Sequence, residues 1–408
     1  MKPLYTSVKG IILCLVILFI YNCGGAGDDW DPALEDTTFY KVFGGDNEDY
    51  GFSVDMTDDG GYILAGFSTT YGNGWWDAWI VKTDAKGNGE WHRSFGTTGK
   101  EAAFQVMQMD GGGYLILGEH GPAGKAGDIL LIQTNAEGYH QNQVTYGGTN
   151  NDGARQIIQT ADGGYAIIGY TYSYGGGGRD MWLIKIDKDG KEEWSKPYGW
   201  VYNETGYSLV QTIDGGFILV GSKWNYKLKK HNIWIVKVGP RGEQEWDRII
   251  DEEFSGYAHK IIQSKDGLYA LAGVTKKLGN DWWDLWMAQM DFSGNTVWEQ
   301  VHSMSHIAIN EWYNVDMKPT NDGGFICVGP TDQYGLDMDA ILMKFDSMGN
   351  IQWNGIYGGK GQDIGLSVVQ TKDNGYAFLG RSNSYGNGLN DYFFVKTDSI
   401  GQSVLFPD

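Results

Sequence analysis

GARQIIQTADGGYAIIGYTYSYGGGGRDMWLIKIDKDGKEEWSKPY, residues 153–198, holds one complete structural unit in a single line. An apolar stretch, Ala154 to Thr160, stops at Asp162-Gly163-Gly164, and Tyr165 to Gly169 follows as a second. After a Gly/Tyr-rich loop comes a third, Asp180 to Asp187, whose turn at Asp189-Gly190 leads into a fourth, Glu193 to Tyr198. The segments are short, favour Val, Ile, Tyr and Trp, are bounded by Gly and Asp, and show no 3.6-residue period, so they read as strands. The aromatic after the first turn returns as Tyr62, Tyr114, Tyr165, Phe217, Tyr269, Phe325 and Tyr376, spaced by 52, 51, 52, 52, 56 and 51 residues. Seven tandem copies of four antiparallel strands predict an all-β chain, a seven-bladed β-propeller.

Two aromatic series support the blade assignment. Trp91, Trp194, Trp246, Trp298 and Trp353 each stand four residues after the glycine of the third turn, with Asn142 and Leu405 in that place in the remaining two copies. Trp79, Trp182, Trp234 and Trp286 recur in the third strand, where Leu130, Ile341 and Phe393 complete the set. A large flat side chain at one address per copy suits a wedge between neighbouring sheets. Phe39 to Phe43, followed by Gly44 and Gly45, matches the fourth strand of the other units and is expected to close the ring. Val404 to Phe406 is a competing copy without the glycines.

The run Asp187-Lys188-Asp189-Gly190-Lys191-Glu192-Glu193-Trp194 resembles the tryptophan-docking repeat of PQQ-like propellers. The whole unit, with its Gly-Gly-Tyr turn, Tyr-Gly-Asn-Gly at 71–74 and 385–388, and Tyr-Gly-Gly at 146–148 and 357–359, is more similar to propeller repeats of bacterial secreted proteins and lipoproteins. The resemblance covers residues 39 to 406 and implies the fold, not an activity. The adjacent cysteine pair of quinoprotein dehydrogenases is absent, and no calcium-ligand cluster stands out, so neither cofactor nor metal is expected.

At the N-terminus, Lys2 and Lys9 precede an apolar run from Ile11 to Tyr21, the layout of a signal peptide, too short for a spanning helix. Cys23, followed by Gly24 and Gly25, resembles the acylated cysteine of a lipobox, with Asn22 where a small residue is usual. The expected organisation is a signal peptide over 1–22, a lipidated cysteine and acidic tether over 23–37, and the propeller over 38–408. Such a chain would be exported as a monomer and held at the cell envelope, at the outer membrane, by lipid alone. Cys327 alone remains in the propeller, as a small buried hydrophobe. A formal charge of -20 argues against a nucleic-acid partner, which needs a basic surface.

Recognising the repeat removes several tempting sites. Asp77, Asp128, Asp180, Asn232, Asp284, Asp339 and Asp391 are equivalent positions, as are Asp49, Glu101, Asp152, Glu204 and Asp363, and both sets read as carboxylates accepting backbone N–H groups at strand entries. Lys82, Lys185, Lys237, Lys344 and Lys396 are expected to pair with nearby acids. No catalytic residue stands out. Function is therefore sought where the copies disagree, in the second connections and the blade-to-blade links, which share one face. There Lys223, Trp224, Tyr226, Lys227, Lys229 and Lys230 in the fourth copy, and Lys276, Lys277, Trp282 and Trp283 in the fifth, form a basic and aromatic sector beside the lengthened link His302 to Tyr313. Lysine interleaved with aromatics suits an anionic polysaccharide, a lipid headgroup or an acidic protein partner. The leading expectation is a non-catalytic binding or scaffolding module, and the alternative is an envelope polysaccharide hydrolase or lyase. An enzyme should show non-repeated acids or histidines converging at the channel mouth; a binding module needs only an aromatic and charged patch.

Overall fold

The computed structural model describes residues 38–121, 127–250, 254–277, 282–307, 314–332 and 337–404. The chain divides into two units, 1–32 and 33–408, and the described residues all belong to the second. The expectations for the signal peptide, Cys23 and the tether lie outside them.

The described residues form seven four-stranded antiparallel sheets and no helix. Six sheets are strand meanders in sequence order, opening with inner strands such as Asp49–Met56, Asp152–Gln159 and Glu204–Gln211. The seventh joins the two ends of the chain. Its outer strand is β1, Phe39–Phe43, which pairs in register with Asp391–Thr397 at the far end of the chain, from Phe39↔Lys396 to Phe43↔Tyr392. The N-terminal copy therefore closes the ring, while Ser403 and Val404 belong to no strand.

The outer strands lock each blade to the next. The rings of Trp91, Trp194, Trp246, Trp298 and Trp353 lie over the third-turn glycines of the following blades, Gly138, Gly242, Gly294, Gly349 and Gly401, where an added Cβ would come within 2.5–2.8 Å of an indole carbon. Phe39 stands at the same address on Gly87, at 2.6 Å. These glycines have φ of 72–83°, so both the turn and the close approach exclude a side chain. The second blade has Asn142 there instead, and Tyr146 donates its hydroxyl to the carbonyl of Gly190. The other series is core: Trp79, Trp182, Trp234 and Trp286 are 2–3% exposed. Cys327 is fully buried, as expected.

The inner strands lock the ring from within. Each has an edge facing the channel with no strand beside it, and its N–H groups need an acceptor from elsewhere. One side chain per blade supplies it across the junction. Ser367 accepts from Val54 N–H, Ser53 from Val106, Gln105 from Ile157, Gln156 from Leu209, Ser208 from Ile261 and Asp316 from Val368. The seventh junction, between blades five and six, is bridged by Lys260 and Asp316 at 2.9 Å. Burial works against the Asp316 charge, but the ammonium groups of Lys260 and Lys318 outweigh it and hold the carboxyl below its usual range.

The recurring lysines do pair with acids. Lys185 bridges the first-turn Asp162 at 2.9 Å and Glu193 at 3.0 Å, and Lys82, Lys237, Lys344 and Lys396 reach Asp59, Asp214, Asp322 and Asp373 in the same way. The Thr160 hydroxyl and then the Lys185 ammonium hold Asp162 down to about 2, against its slight burial, and Thr212 with Lys237 does the same for Asp214. A carboxyl depressed in the folded state stabilises it above the unfolded value of about 4, and that contribution disappears as pH falls through the folded value.

Two outcomes follow. Phe39→Ala should cost about 3–5 kcal/mol, and deletion of 38–45 should abolish cooperative thermal unfolding; an unchanged melting temperature after the deletion would show that β1 does not close the ring. Stability in a pH series should drop between about pH 4 and pH 2, and Lys185→Met together with Asp162→Asn should make that drop shallower.

Candidate functional site at the loop-side mouth of the channel

Strand direction assigns the two faces. Inner strands run away from the blade-to-blade links, so these links and the second connections share one face and the tight turns occupy the other. Most residues along an inner strand repeat, but the bulged residue three places after the opening acid does not. It is Phe52, Phe104, Arg155, Tyr207, His259 and Leu366 in the six blades whose inner strand carries a bulge; together with Val315, which precedes the regular inner strand of blade six and packs in the core, they line a channel cavity of about 410 Å³. The bulge itself is seen as a register shift, as between Gly51 and Ser53 or Ala154 and Gln156. It frees this side chain from sheet packing and leaves it facing the channel.

From this column an arc of aromatic and cationic groups runs around the mouth. The Arg155 guanidinium lies 5.8 Å from the Phe104 ring, 5.2 Å from Tyr170 and 3.6 Å from the Glu119 carboxylate. Burial pushes the Glu119 carboxyl up, against the pull of Arg155. Arg179 covers Tyr170 at 5.2 Å. In the next blade His231 packs on Trp224 at 4.9 Å and Tyr257 at 5.0 Å. Tyr257 in turn meets Trp283 at 5.3 Å and stacks on His259, which packs edge-on against Tyr207 at 5.3 Å. At the other end of the arc Arg381 lies 4.7 Å over Tyr50, which stacks on Phe67, itself stacked on Trp76. The chain has six arginines, and three of them stand in this arc.

Both histidines are held neutral. Burial, reinforced by Arg179, pushes His231 down to about 4, and its buried Nδ1 has no hydrogen-bond partner. Burial brings His259 to about 3, and its Nδ1 accepts the Val315 N–H, which leaves the ring proton on Nε2.

Beside Arg179 lies an exposed apolar platform. The link after blade three carries Trp200, Val201 and Tyr202, exposed by 75%, 62% and 41%. The Tyr202 ring stacks on Tyr226 of blade four at 5.3 Å and 5°. The platform adjoins the arc because Asn203 accepts the Arg179 N–H through its side chain and the Arg179 carbonyl accepts the Glu204 N–H.

The sector expected from sequence is partly drawn into this arrangement. Trp224 and Trp283 belong to the arc, and Tyr226 to the platform. Lys223 lies 4.6 Å over Trp234, and Lys276 lies 5.9 Å over Trp283. Lys227, Lys229, Lys277 and Trp282 are exposed. Lys230 is not on the surface: it is buried and donates to the Phe254 carbonyl at 2.8 Å, because the long hairpin pairs it with Asn225 and turns it inward. His302 lies on the outer strand Thr296–Ile307, bonded to the Gly349 carbonyl, rather than in a link, and residues 308–313 of the lengthened link lie outside the described residues. Asp187 accepts the N–H groups of Asp189 and Lys191, an ordinary Asx turn. Among the described residues no three His, Cys, Asp or Glu side chains gather as metal ligands.

Sequence reasoning passed over Arg155, Arg179, Tyr207, Tyr257, His259 and Trp200. The signal for four of them was present: in aligned copies, the inner-strand columns that fail to repeat are the ones facing the mouth.

The fold and this mouth define a seven-bladed propeller with a non-repeated site on its loop face. No family model matches the chain, and no curated protein matches it. Solved structures of similar fold include a polysaccharide lyase, an ulvan lyase bound to -[GlcA(1-4)Rha3S]-, with a TM-score of 0.54 and 9% identity over 88% of this chain and 96% of that one. Puromycin hydrolase gives 0.55 and 14% over 86% of this chain and 52% of that one. BBS1N in complex with ARL6DN gives 0.51 and 8% over 88% and 95%. At such identities the likeness is one of fold.

The histidine environments are open to measurement: in nitrogen-detected NMR spectra at pH 5.5, the His231 and His259 rings should both be neutral, and an imidazolium signal from either would contradict the burial described.

Proposed function

We propose that the loop face binds an anionic polysaccharide, and that the protein is a monomeric, non-catalytic binding or scaffolding module carried at the cell envelope by a lipid on Cys23. The observation that carries this reading is the arc itself. Arginines and flat rings occupy the positions that the repeat leaves free, on a protein whose overall charge is -20. Guanidinium groups match carboxylate or sulfate, and exposed tryptophan and tyrosine faces match sugar rings. A polysaccharide is favoured over a lipid headgroup or an acidic protein because the exposed Trp200 and the stacked Tyr202 and Tyr226 stand beside Arg179. The sulfated, uronate-containing ligand of the ulvan lyase is a neighbour's example of the same chemistry.

A second reading, a lyase or hydrolase acting on such a glycan, is favoured by one observation: two non-repeated, neutral histidines meet at Tyr257. Imidazole is the side chain most often used for proton transfer in catalysis.

On an array of acidic and neutral glycans, the purified protein should retain acidic ones, less so at high salt. Arg155→Gln, Arg179→Gln and Trp200→Ala should each weaken binding at least about tenfold, whereas Lys227→Ser with Lys229→Ser should mainly reduce the salt dependence. Equal retention of neutral glycans, or full binding by both arginine variants, would defeat the reading. Release of unsaturated or shortened products, abolished by His259→Ala, would favour the enzyme instead. Cys23→Ser should move the protein from the membrane to the soluble fraction without unfolding it; unchanged fractionation would remove the anchor from the proposal.

A further inference from the structure

The acids at the blade junctions do more than their expected latching accounts for. Between blades three and four, Asp180 Oδ2 accepts the Gly176 N–H at 3.0 Å and Glu204 Oε2 accepts that of Trp200 at 3.3 Å. Between blades seven and one, Asp391 Oδ2 takes the Asn387 N–H at 3.0 Å, and Asp49 Oδ2 takes the Gly45 N–H and the Thr70 hydroxyl, each at 2.9 Å. Between blades six and seven, Asp363 Oδ2 takes the Gly359 N–H at 2.8 Å and the Ser384 hydroxyl at 2.6 Å. In every case the other carboxylate oxygen is buried and has no hydrogen-bond partner: Asp180 Oδ1 with Glu204 Oε1, Asp391 Oδ1 with Asp49 Oδ1, and Asp339 Oδ1 with Asp363 Oδ1. Asp49, Asp180, Glu204, Asp363 and Asp391 are 0–2% exposed.

The two members of each pair meet at one glycine. A Cβ on Gly199 would lie 2.0 Å from Asp180 Oδ1 and 2.5 Å from Glu204 Oε2. On Gly44 it would lie 1.8 Å from Asp391 Oδ1 and 2.8 Å from Asp49 Oδ2, and on Gly358 2.0 Å from Asp339 Oδ1 and 2.9 Å from Asp363 Oδ2. The backbone thus gives up a side chain to bring two carboxylates together. Two buried like charges with bare oxygens are unstable unless something positive lies between them.

The geometry points to a hard divalent cation of the calcium class at each of these three junctions, held between the acid that opens a third strand and the acid that opens the next inner strand. The ligands are all oxygen, which excludes a preference for zinc or copper, and two carboxylates balance the charge of one such ion. The other junctions serve as internal comparisons. Between blades one and two, Glu101 Oε1 has the His120 ring nitrogen at 2.6 Å in place of an ion. Between blades two and three, Asp128 Oδ1 is bare beside Gly147, but Asp152 Oδ1 is taken by the N–H groups of Tyr172 and Ser173, so only one of the two acids offers a free oxygen. Between blades four and five, Asn232 and Gly256 replace both acids.

The experiment is thermal unfolding at pH 8 with calcium chloride or with EDTA, alongside titration with terbium, whose luminescence nearby Tyr and Trp sensitise. Calcium should raise the melting temperature by at least about 5 °C, and terbium should saturate near three equivalents. Asp180→Asn, Asp339→Asn and Asp391→Asn together should abolish both effects, and Glu101→Gln should leave both intact. Should the triple variant fail to fold, Asp391→Asn alone should reduce the terbium stoichiometry from three to two. Equal melting temperatures in calcium and EDTA, with stability rising as pH falls from 8 to 5, would mean that each pair shares a proton and would overturn the inference. So would terbium binding that the variants leave unchanged.

Discussion

An inner strand of a closed ring has one edge with no strand beside it, and the rest of this molecule depends on how that edge is satisfied. A buried N–H without an acceptor costs about 1–3 kcal/mol, and seven blades repeat the problem. The solution is a single column of side chains, Ser53, Gln105, Gln156, Ser208, Lys260, Asp316 and Ser367, each reaching across a junction. Six junctions use an oxygen of this column as the acceptor for a backbone N–H, and at the seventh His259 Nδ1 takes the Val315 N–H. The junction that uses Lys260 instead is bridged by Asp316, whose two oxygens serve blades five and seven at once.

This inner belt has an outer counterpart in the aromatic rings seated on turn glycines. Phe39 extends the outer series to the closing blade, so the ends of the chain are joined by the same contact that joins its interior units. With blades secured at both radii, the loop face carries little of the burden of holding the ring. Its links are latched by strand-entry acids, which join each link to neighbouring second connections, and between these latches the loops vary freely.

Variation inside the channel has a related cause. The bulged residue of an inner strand faces the channel instead of the sheet interior, and apart from His259, whose Nδ1 takes the Val315 N–H, its identity is not set by the hydrogen bonds that close the ring. Arginine, tyrosine and histidine accumulate there in blades three, four and five, and the half-buried aromatics beside them fix their orientation. Burial keeps His231 and His259 uncharged while the guanidinium groups of Arg155 and Arg179 remain positive, so the mouth offers fixed cations among neutral rings.

The seven copies, their four strands and the closing role of Phe39 to Phe43 were legible in the amino-acid order, because turns, strand alternation and the docking aromatic are local signals repeated often enough to be read against one another. The pairing of Lys185 with an acid and the burial of Cys327 followed from the same regularity. What the sequence could not settle was which unlike residues meet. Lys230 reads as one more loop lysine, yet the register of its hairpin carries its ammonium to the Phe254 carbonyl. Asp391 and Asp49 stand at opposite ends of the chain and share the space beside Gly44 only because the ring closes. Arg155, Tyr207 and His259 each lie in a different unit, and only curvature of the ring aims them at a common axis. Repetition within the chain determined the scaffold; the angle between one blade and the next decided the site.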